Sequence, residues 1–198
     1  MNRVAHADIA WMPMIRFAKR AAARLRKGGI RGHLLGLIVR TRLSRAGIIV
    51  VHGGWHLPEI DDRGGWIEIG NCAFFPGVRL ECWRGAKIEI GNGTYLNRNT
   101  EVVAASSVRI GRDCMIGRDV IIMDSDQHAL PGAEFAAAEV TIEDRVWIGA
   151  RVIVLKGVTI GHDSVIGAGA IVTRNIPPRS VAAGHPARVV RTLDLPRG

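Results

Sequence analysis

The chain has 198 residues, 47% of them hydrophobic and 23% charged, which is typical of one globular domain and excludes a disordered or membrane-filling chain. Glycine is frequent, at 24 residues, and aromatic residues are scarce, at 5%, which favours a strand-rich chain with many tight turns. The cysteines at positions 72, 82 and 114 form no CxxC pair, and the N-terminus lacks a continuous apolar segment. We therefore expect a cytoplasmic protein with reduced, buried thiols.

Positive charge is concentrated at the N-terminus. Residues 1–45 carry eleven Lys or Arg and one acidic residue, whereas the rest of the chain is close to neutral. The net charge of +9 therefore belongs to this arm, which argues against a nucleic-acid-binding face on the domain. We predict that residues 8–45 form a basic amphipathic helical arm with a break at Gly28-Gly29. Two roles stay open for it: peripheral binding to an anionic membrane surface on the cytoplasmic side, and packing on the first coil as a cap.

A six-residue period organises most of the remaining chain. Aliphatic residues recur at this interval towards the C-terminus, at Ile142, Ile148, Val154, Ile160, Ile166 and Val172. Shorter runs of the same pattern begin at Ile69, Ile90 and Ile110. This period differs from the helical value of about 3.6 residues, but it suits short strands joined by turns, with each aliphatic side chain pointing inward. The pattern predicts an all-β solenoid of stacked triangular coils, because no single repeat can bury its own apolar face.

The period also divides the chain. It assigns residues 48–174 to the solenoid, after a helical arm over residues 1–47 and before an extended, basic tail over residues 175–198. Two segments, 81–89 and 123–141, interrupt the period, and the longer one leaves the solenoid as a loop. Loops that leave a rigid scaffold often carry function, so the longer loop is the first candidate site.

The C-terminal repeats resemble those of the hexapeptide-repeat acyltransferases. The matching segments are VWIGA at 146–150, VLKGVTIG at 154–161, VIGAGA at 165–170, IPP at 176–178 and GHPA at 184–187. The resemblance extends over roughly residues 66–192. It implies a left-handed parallel β-helix, a homotrimer with active sites between subunits, and acyl transfer from coenzyme A. Within the family, the sequence is similar to the sugar and polysaccharide O-acetyltransferases, which include the maltose and nodulation-factor enzymes.

The resemblance assigns the general base to His128, in the loop before the VWIG segment. An alcohol is a poor nucleophile at neutral pH, and an imidazole can accept its proton as it attacks the thioester. Direct attack needs no covalent enzyme intermediate. Asp124 and Asp126 lie beside the histidine and could orient the imidazole or bind acceptor hydroxyls, with turn stabilisation as the structural alternative. We favour Asp126 for a role near the acceptor.

The resemblance also implies binding residues. Asn97 matches the position whose amide contacts the acceptor hydroxyl, and Trp147 matches the position beside the thioester. A corner asparagine and a packing tryptophan are the structural alternatives. For coenzyme A, Ala150 and Ala168 match backbone contacts to the pantetheine, and Thr173 lies near the adenine position. The basic residues that suit its phosphates are Lys156, Arg174, Arg188 and Arg191.

Other functions share parts of this pattern. The same fold and base could serve an amine acceptor or a longer acyl chain. A γ-type carbonic anhydrase needs three converging histidines for zinc, and only His128 lies in the middle coils, so we expect no metal. A non-enzymatic trimeric scaffold with a membrane-binding arm would not depend on His128. We predict a CoA-dependent acyltransferase that moves acetyl from acetyl-CoA to a hydroxyl of a sugar or of a lipid-linked polysaccharide precursor.

Overall fold

The computed structural model describes residues 29–53, 56–129, 131–132 and 134–194. The chain forms a left-handed parallel β-helix preceded by one short helix, which confirms the fold predicted from the six-residue period. Most of the predicted basic arm, residues 1–28, lies outside the described residues, as does the end of the tail, residues 195–198.

The strands stack into three sheets of six, eight and six strands, here called A, B and C. Sheet A contains β1 (Arg45–Ala46), β4 (Trp66–Ile69), β7 (Lys87–Ile90), β10 (Ser107–Ile110), β13 (Val140–Ile142) and β16 (Thr159–Ile160). Sheet B contains β2 (Ile49–Val51), β5 (Cys72–Phe74), β8 (Tyr95–Leu96), β11 (Met115–Ile116), β14 (Trp147–Ile148), β17 (Val165–Ile166), β19 (Ser180–Gly184) and β20 (Ala187–Thr192). Sheet C contains β3 (Glu59–Asp62), β6 (Arg79–Cys82), β9 (Glu101–Ala104), β12 (Ile121–Met123), β15 (Ile153–Val154) and β18 (Ile171–Val172).

The core consists of columns of aliphatic side chains that point into the prism. In sheet A the parallel register places one isoleucine of each coil above the next, and the column contains Ile69, Ile90, Ile110, Ile142 and Ile160. All five side chains are buried. Burial of each such side chain contributes about 1.5–3 kcal/mol, and each coil gains it only by stacking on its neighbours. The six-residue period of the sequence is therefore the period of the core.

Three corners connect the sheets. The A–B corner contains residues 91–94, 111–114, 143–146 and 161–164. The B–C corner contains residues 75–78, 97–100, 117–120, 149–152 and 167–170. The C–A corner contains residues 83–86, 105–106, 124–139, 155–158 and 173–175. Both interruptions of the period, 81–89 and 123–141, thus include the C–A corner.

Close stacking at the B–C corner explains one glycine of the repeat. A Cβ on Gly149 would lie 2.7 Å from the backbone nitrogen of Ala168 in the next coil. A real Cβ does not approach backbone so closely, so only glycine permits this spacing. The same corner is held by a backbone hydrogen bond from the Gly169 N–H to the Ala150 carbonyl, 2.8 Å long. This segment of the B–C corner is therefore rigid and narrow.

The helix α1 (Gly29–Arg40) packs on β2 at the N-terminal end of the solenoid. Its buried side carries Gly32, Leu35, Gly36 and Val39. A Cβ on Gly36 would overlap the Ile49 carbonyl, so this glycine sets how closely the helix approaches. The helix ends at Arg40, earlier than the sequence pattern suggests, because Arg45 already belongs to β1. No helix in the described part of the chain is long and apolar enough to span a membrane.

The coil continues beyond residue 174, where the six-residue pattern stops. Ile176 is buried and forms a parallel bridge with Ile160, and β19 extends sheet B beside β17. The strand β20 then folds back and pairs antiparallel with β19. This hairpin covers the last parallel strand, and a paired edge of this kind limits further strand addition.

Candidate active site

The long loop leaves the C–A corner between β12 and β13 as a hairpin. Ser125 and Ala137 form an antiparallel bridge, the Ala138 N–H donates to the Asp124 carbonyl at 2.8 Å, and the Asp126 N–H donates to the Ala136 carbonyl at 3.3 Å. These contacts make a short stem. His128 follows two residues after Asp126, so it lies beyond the stem in the outer part of the loop.

Asp124 anchors the base of this hairpin. Its side chain is fully buried, and its carboxylate accepts three hydrogen bonds from backbone N–H groups of the preceding coil: Ala105 at 2.8 Å, Ser106 at 2.7 Å and Ser107 at 2.6 Å. An unpartnered buried carboxylate would be costly, and three charge-assisted bonds offset that cost. Both oxygens of Asp124 thus tie the base of the loop to the backbone of the preceding coil.

Asp126 connects the loop to the following coil. Its carboxylate forms an ion pair with the ammonium of Lys156, which lies at the C–A corner after β15. Both side chains are about one-third exposed, so water screens the pair and it restrains geometry more than it adds stability. Lys156 therefore has a partner within the chain, in addition to the phosphate role expected from the sequence.

The opposite side of the loop reaches across the preceding coil to the C–A corner two coils earlier, after β6. Phe135 stacks on Trp83, with ring centroids 5.6 Å apart and an interplanar angle of 19°. The Trp83 indole N–H donates to Glu81 Oε1 at 2.8 Å, which fixes the ring. Sequence reasoning did not pair these two aromatic residues. The available signal was that both interruptions of the period fall at the same corner, and stacked coils bring equivalent corners together.

His128 is exposed on a loop held in this way from both sides. Its ring forms no hydrogen bond or ion pair with the residues that the structure describes. An accessible imidazole on a braced loop can exchange protons with a bound molecule, which is what a general base requires.

Asn97 and Trp147 occupy other parts of the cross-section. Asn97 lies at the B–C corner, where its Oδ1 accepts a hydrogen bond of 2.8 Å from the Arg98 N–H. Trp147 is on the outer face of sheet B and is 41% exposed. Because sheet B is the side of the triangle opposite the C–A corner, one chain does not bring Trp147 next to His128. A site that uses both Trp147 and His128 therefore needs two chains.

Comparison with known proteins agrees with the architecture. Residues 139–174 match the family model described as the hexapeptide repeat of succinyl-transferase. The chain is 42% identical over 114 residues to the galactoside O-acetyltransferase of Escherichia coli K12, an alignment that covers 56% of each protein. It is 40% identical over 132 residues to a Saccharomyces cerevisiae protein named as an acetyltransferase, covering 63% of this chain and 67% of that protein. The chain belongs to the hexapeptide-repeat acetyltransferase family.

The solved structure of a galactoside acetyltransferase in complex with coenzyme A matches this chain with a TM-score of 0.59 at 26% identity. The match covers 94% of this chain and 85% of that one. The sequence alignments are shorter: the chain spans 55% to 63% of the length of three of the relatives it matches.

The residues expected to bind coenzyme A lie in the C-terminal coils of this family member, in three groups. Ala150 and Ala168 are neighbours at the narrow B–C corner. Lys156 lies at the C–A corner, and Thr173 and Arg174 follow at the same corner one coil later. Arg188 and Arg191 are exposed on β20, at the end of sheet B. One chain therefore does not bring all four basic candidates together.

Neither a metal cluster nor a reactive thiol accompanies the loop in the parts of the chain that the structure describes. Across those residues, no group of three or more His, Cys, Asp or Glu side chains is arranged to hold a metal ion. The three cysteines are free and buried. Burial raises the pKa of Cys82 to about 11 and that of Cys114 to about 12, so both remain protonated thiols at neutral pH.

A histidine–carboxylate pair lies at the A–B corner, away from the loop that carries His128. The His162 Nδ1 is 2.8 Å from Asp163 Oδ2, and Arg145 donates two hydrogen bonds of 2.7 Å to the same carboxylate. Burial alone would raise the pKa of Asp163, but the bonds from Arg145 and His162 outweigh it and the pKa is lowered. The carboxylate is thus held ionised between two coils. This cluster provides a natural control for experiments on His128.

Proposed function

We propose that this chain is an acetyl-CoA-dependent O-acetyltransferase that acts on a hydroxyl of a sugar or of a lipid-linked polysaccharide precursor. Family membership and the galactoside O-acetyltransferase relative support the reaction and a sugar acceptor. The observation that carries the proposal is the placement of His128, exposed on a loop that is braced by Lys156 of the following coil and by Trp83, two coils earlier. Acetyl-CoA is the co-substrate, and the match to a coenzyme A complex of a relative supports it.

The proposed mechanism is direct transfer. The His128 imidazole takes the proton of the acceptor hydroxyl as its oxygen attacks the thioester carbonyl. The new carbon–oxygen bond forms a tetrahedral oxyanion, which a backbone N–H stabilises. Collapse of this intermediate breaks the carbon–sulfur bond, and the imidazolium returns the proton to the leaving thiolate. The products are the acetyl ester and coenzyme A, and no covalent enzyme intermediate is involved.

Each contact of the loop holds a different segment of it in place for this mechanism. Asp124 holds the stem through three backbone N–H groups, and Asp126 and Lys156 hold the strand that leads to His128. The stacking of Phe135 on Trp83 holds the returning strand. Pre-positioning of the base lowers the cost of reaching a reactive geometry. In this proposal Asp124 and Asp126 are positioning residues.

We propose a homotrimer as the active form, with each site formed between two subunits. The outer face of sheet B supports this, because it presents Trp147, a large apolar side chain that is 41% exposed in the single chain. When the outer face of a sheet is exposed only to water, the side chains that point outward are normally polar. Packing this face beside the C–A corner of a second subunit would bring Asn97 and Trp147 towards the His128 of that subunit.

The donor would lie along the C-terminal coils between two such subunits. We assign the pantetheine to the backbone of Ala150 and Ala168, and the adenine end to the vicinity of Thr173. Arg174 from one corner, together with Arg188 and Arg191, supplies positive charge for the phosphates. Use of acetyl-CoA and the reduced, buried cysteines support a cytoplasmic location.

Thiol release tests the proposal directly. The purified full chain is incubated with acetyl-CoA and a panel of mono- and oligosaccharides, and coenzyme A release is compared with release in the absence of acceptor. We expect acceptor-dependent release and a product that loses its acetyl group in mild alkali, as an ester does. A product stable to alkali would be an amide and would favour the amine-acceptor alternative. If the protein binds acetyl-CoA but releases coenzyme A with none of the saccharides, the proposal of a sugar acceptor would be contradicted.

A further inference from the structure

The helix α1 is apolar on its buried side and mainly aliphatic on its exposed side, where Arg31, His33 and Arg40 are the polar residues. Its twelve residues include no acidic residue, and Gly32, Leu35, Gly36 and Val39 face β2. The other side carries four large aliphatic residues that are between 48% and 84% exposed, at Ile30, Leu34, Leu37 and Ile38. Helices on a soluble surface usually turn a polar stripe to water, whereas this side is dominated by large aliphatic residues. The outer side of α1 therefore has the composition of a surface that meets a partner.

The apolar surface extends beyond the helix. Ile48, at the start of the first coil, is also exposed and lines a groove of about 600 Å³ beside α1. Ile30, Leu34 and Leu37 line the same groove, together with the polar residues His33 and Arg40. We call this surface, formed by Ile30, Leu34, Leu37, Ile38 and Ile48, the α1 face. Contiguous apolar patches of this kind mark interaction sites in soluble proteins.

The charged residues of the segment that contains the α1 face are all basic. The sequence contains no Asp or Glu between Asp8 and Glu59, a stretch that includes all of α1 and the first two strands. Arg40 and Arg42 are exposed at the end of the helix, and the segment directly before α1 is rich in Lys and Arg. An apolar surface within a basic and acid-free region is complementary to a surface that is apolar inside and negatively charged outside.

We propose that the α1 face binds the surface of an anionic lipid membrane, with the aliphatic side chains at the acyl boundary and the arginines at the headgroups. The aliphatic residues are separated by three, four, seven and eight positions, so they form one stripe that can lie parallel to a bilayer. The proposal concerns the N-terminal end of the solenoid and does not depend on the transfer reaction.

A cyclic trimer would strengthen this binding. The α1 face lies at one end of the solenoid, and three subunits related by an axis along the coils would present three such faces to the same side. Simultaneous contact of three faces gives an affinity far above that of one face. A lipid-linked acceptor would then be presented to the enzyme at the same surface.

Vesicle flotation of the full chain tests the proposal. The vesicles contain either phosphatidylcholine alone or phosphatidylcholine with phosphatidylglycerol, at low and at high salt. The test variant is Leu34→Gln with Leu37→Gln, and the matched control is Val189→Gln with Val190→Gln, two exposed residues on β20 at the other end of the chain. Oligomer mass and the thermal midpoint are measured for each protein, and Ile30→Gln serves as a milder variant.

We expect the wild type and the β20 control to float with anionic vesicles at low salt, to float less at high salt, and not to float with neutral vesicles. The α1 variant should float about tenfold less with unchanged oligomer mass. Flotation of the α1 variant at the wild-type level, or no flotation of the wild type, would overturn the proposal. A changed oligomer mass would do so too, because it would assign the α1 face to a second copy of the chain.

Discussion

The ammonium of Lys156 is ion-paired with the carboxylate of Asp126, which precedes His128 by two residues in the same loop. The pair links the C–A corner of one coil to the loop that leaves the coil before it. On the other side of the loop, Phe135 stacks on Trp83. The histidine is therefore held between two coils by one polar and one aromatic contact.

Removal of the Lys156 side-chain charge should reduce turnover more than donor binding. We expect Lys156→Met to lower kcat roughly tenfold through misplacement of the loop, with a small change in the KM for acetyl-CoA. The exchanged pair Asp126→Lys with Lys156→Asp should recover part of kcat, because it restores an ion pair. A raised KM for acetyl-CoA with unchanged kcat would instead assign Lys156 to the phosphates of coenzyme A.

His128 and His162 should differ sharply in kinetics. His128→Ala should lower kcat by roughly 10² to 10⁴, the range expected for loss of a general base, and leave acetyl-CoA binding nearly unchanged. His162→Ala is the matched control, since this histidine is also at a corner but pairs with Asp163. Its kcat should stay near the wild-type value. Full activity of His128→Ala would show that another group accepts the proton.

Asp124 should contribute mainly to the stability of the folded protein. Asp124→Ala removes the acceptor of three backbone hydrogen bonds at a buried site, and we expect it to lower the free energy of unfolding by about 2–4 kcal/mol. Asp126→Ala, at a partly exposed ion pair, should cost less than about 1 kcal/mol. Urea denaturation measures both. Wild-type stability of Asp124→Ala with lost turnover would make Asp124 part of the chemistry.

Asp163 should contribute stability that depends on pH. Its pKa in the folded protein is lowered, so the folded state favours the ionised form relative to the unfolded state. That contribution is fully present above the ordinary pKa of aspartate, about 3.9, and is lost as the pH falls through the lowered folded pKa. The difference in unfolding free energy between wild type and Asp163→Asn should therefore be largest near neutral pH and shrink in acid. A difference that grows in acid would contradict this assignment.

The sequence predicts the solenoid because its core is periodic. Ile142 and Ile160 lie in adjacent coils of one column, and their spacing in the sequence is the length of one coil. The extent of the solenoid was harder to predict, because Ile176 and β19 continue it through a segment that contains two prolines and no regular repeat. Backbone hydrogen bonds to the preceding coil hold this segment in place, and no repeating pattern of side chains in the sequence indicates them.

The candidate site was predictable in part, for a similar reason. The loop and His128 stand out because they interrupt the period and match a family pattern. The contacts of Asp126 with Lys156 and of Phe135 with Trp83 join residues from different coils, and the local sequence contains no signal for such pairs. The different surroundings of Asp124 and Asp126 likewise follow from burial, which neighbouring positions in a loop do not reveal.

The most direct test of the central claim is calorimetric binding of acetyl-CoA to the purified full chain, with the oligomer mass measured on the same sample. It requires no knowledge of the acceptor. We predict a trimer that binds one acetyl-CoA per subunit, and His128→Ala should bind it with similar affinity. A well-folded trimer that binds neither acetyl-CoA nor coenzyme A would contradict the account and would remove the donor site assigned to the C-terminal coils.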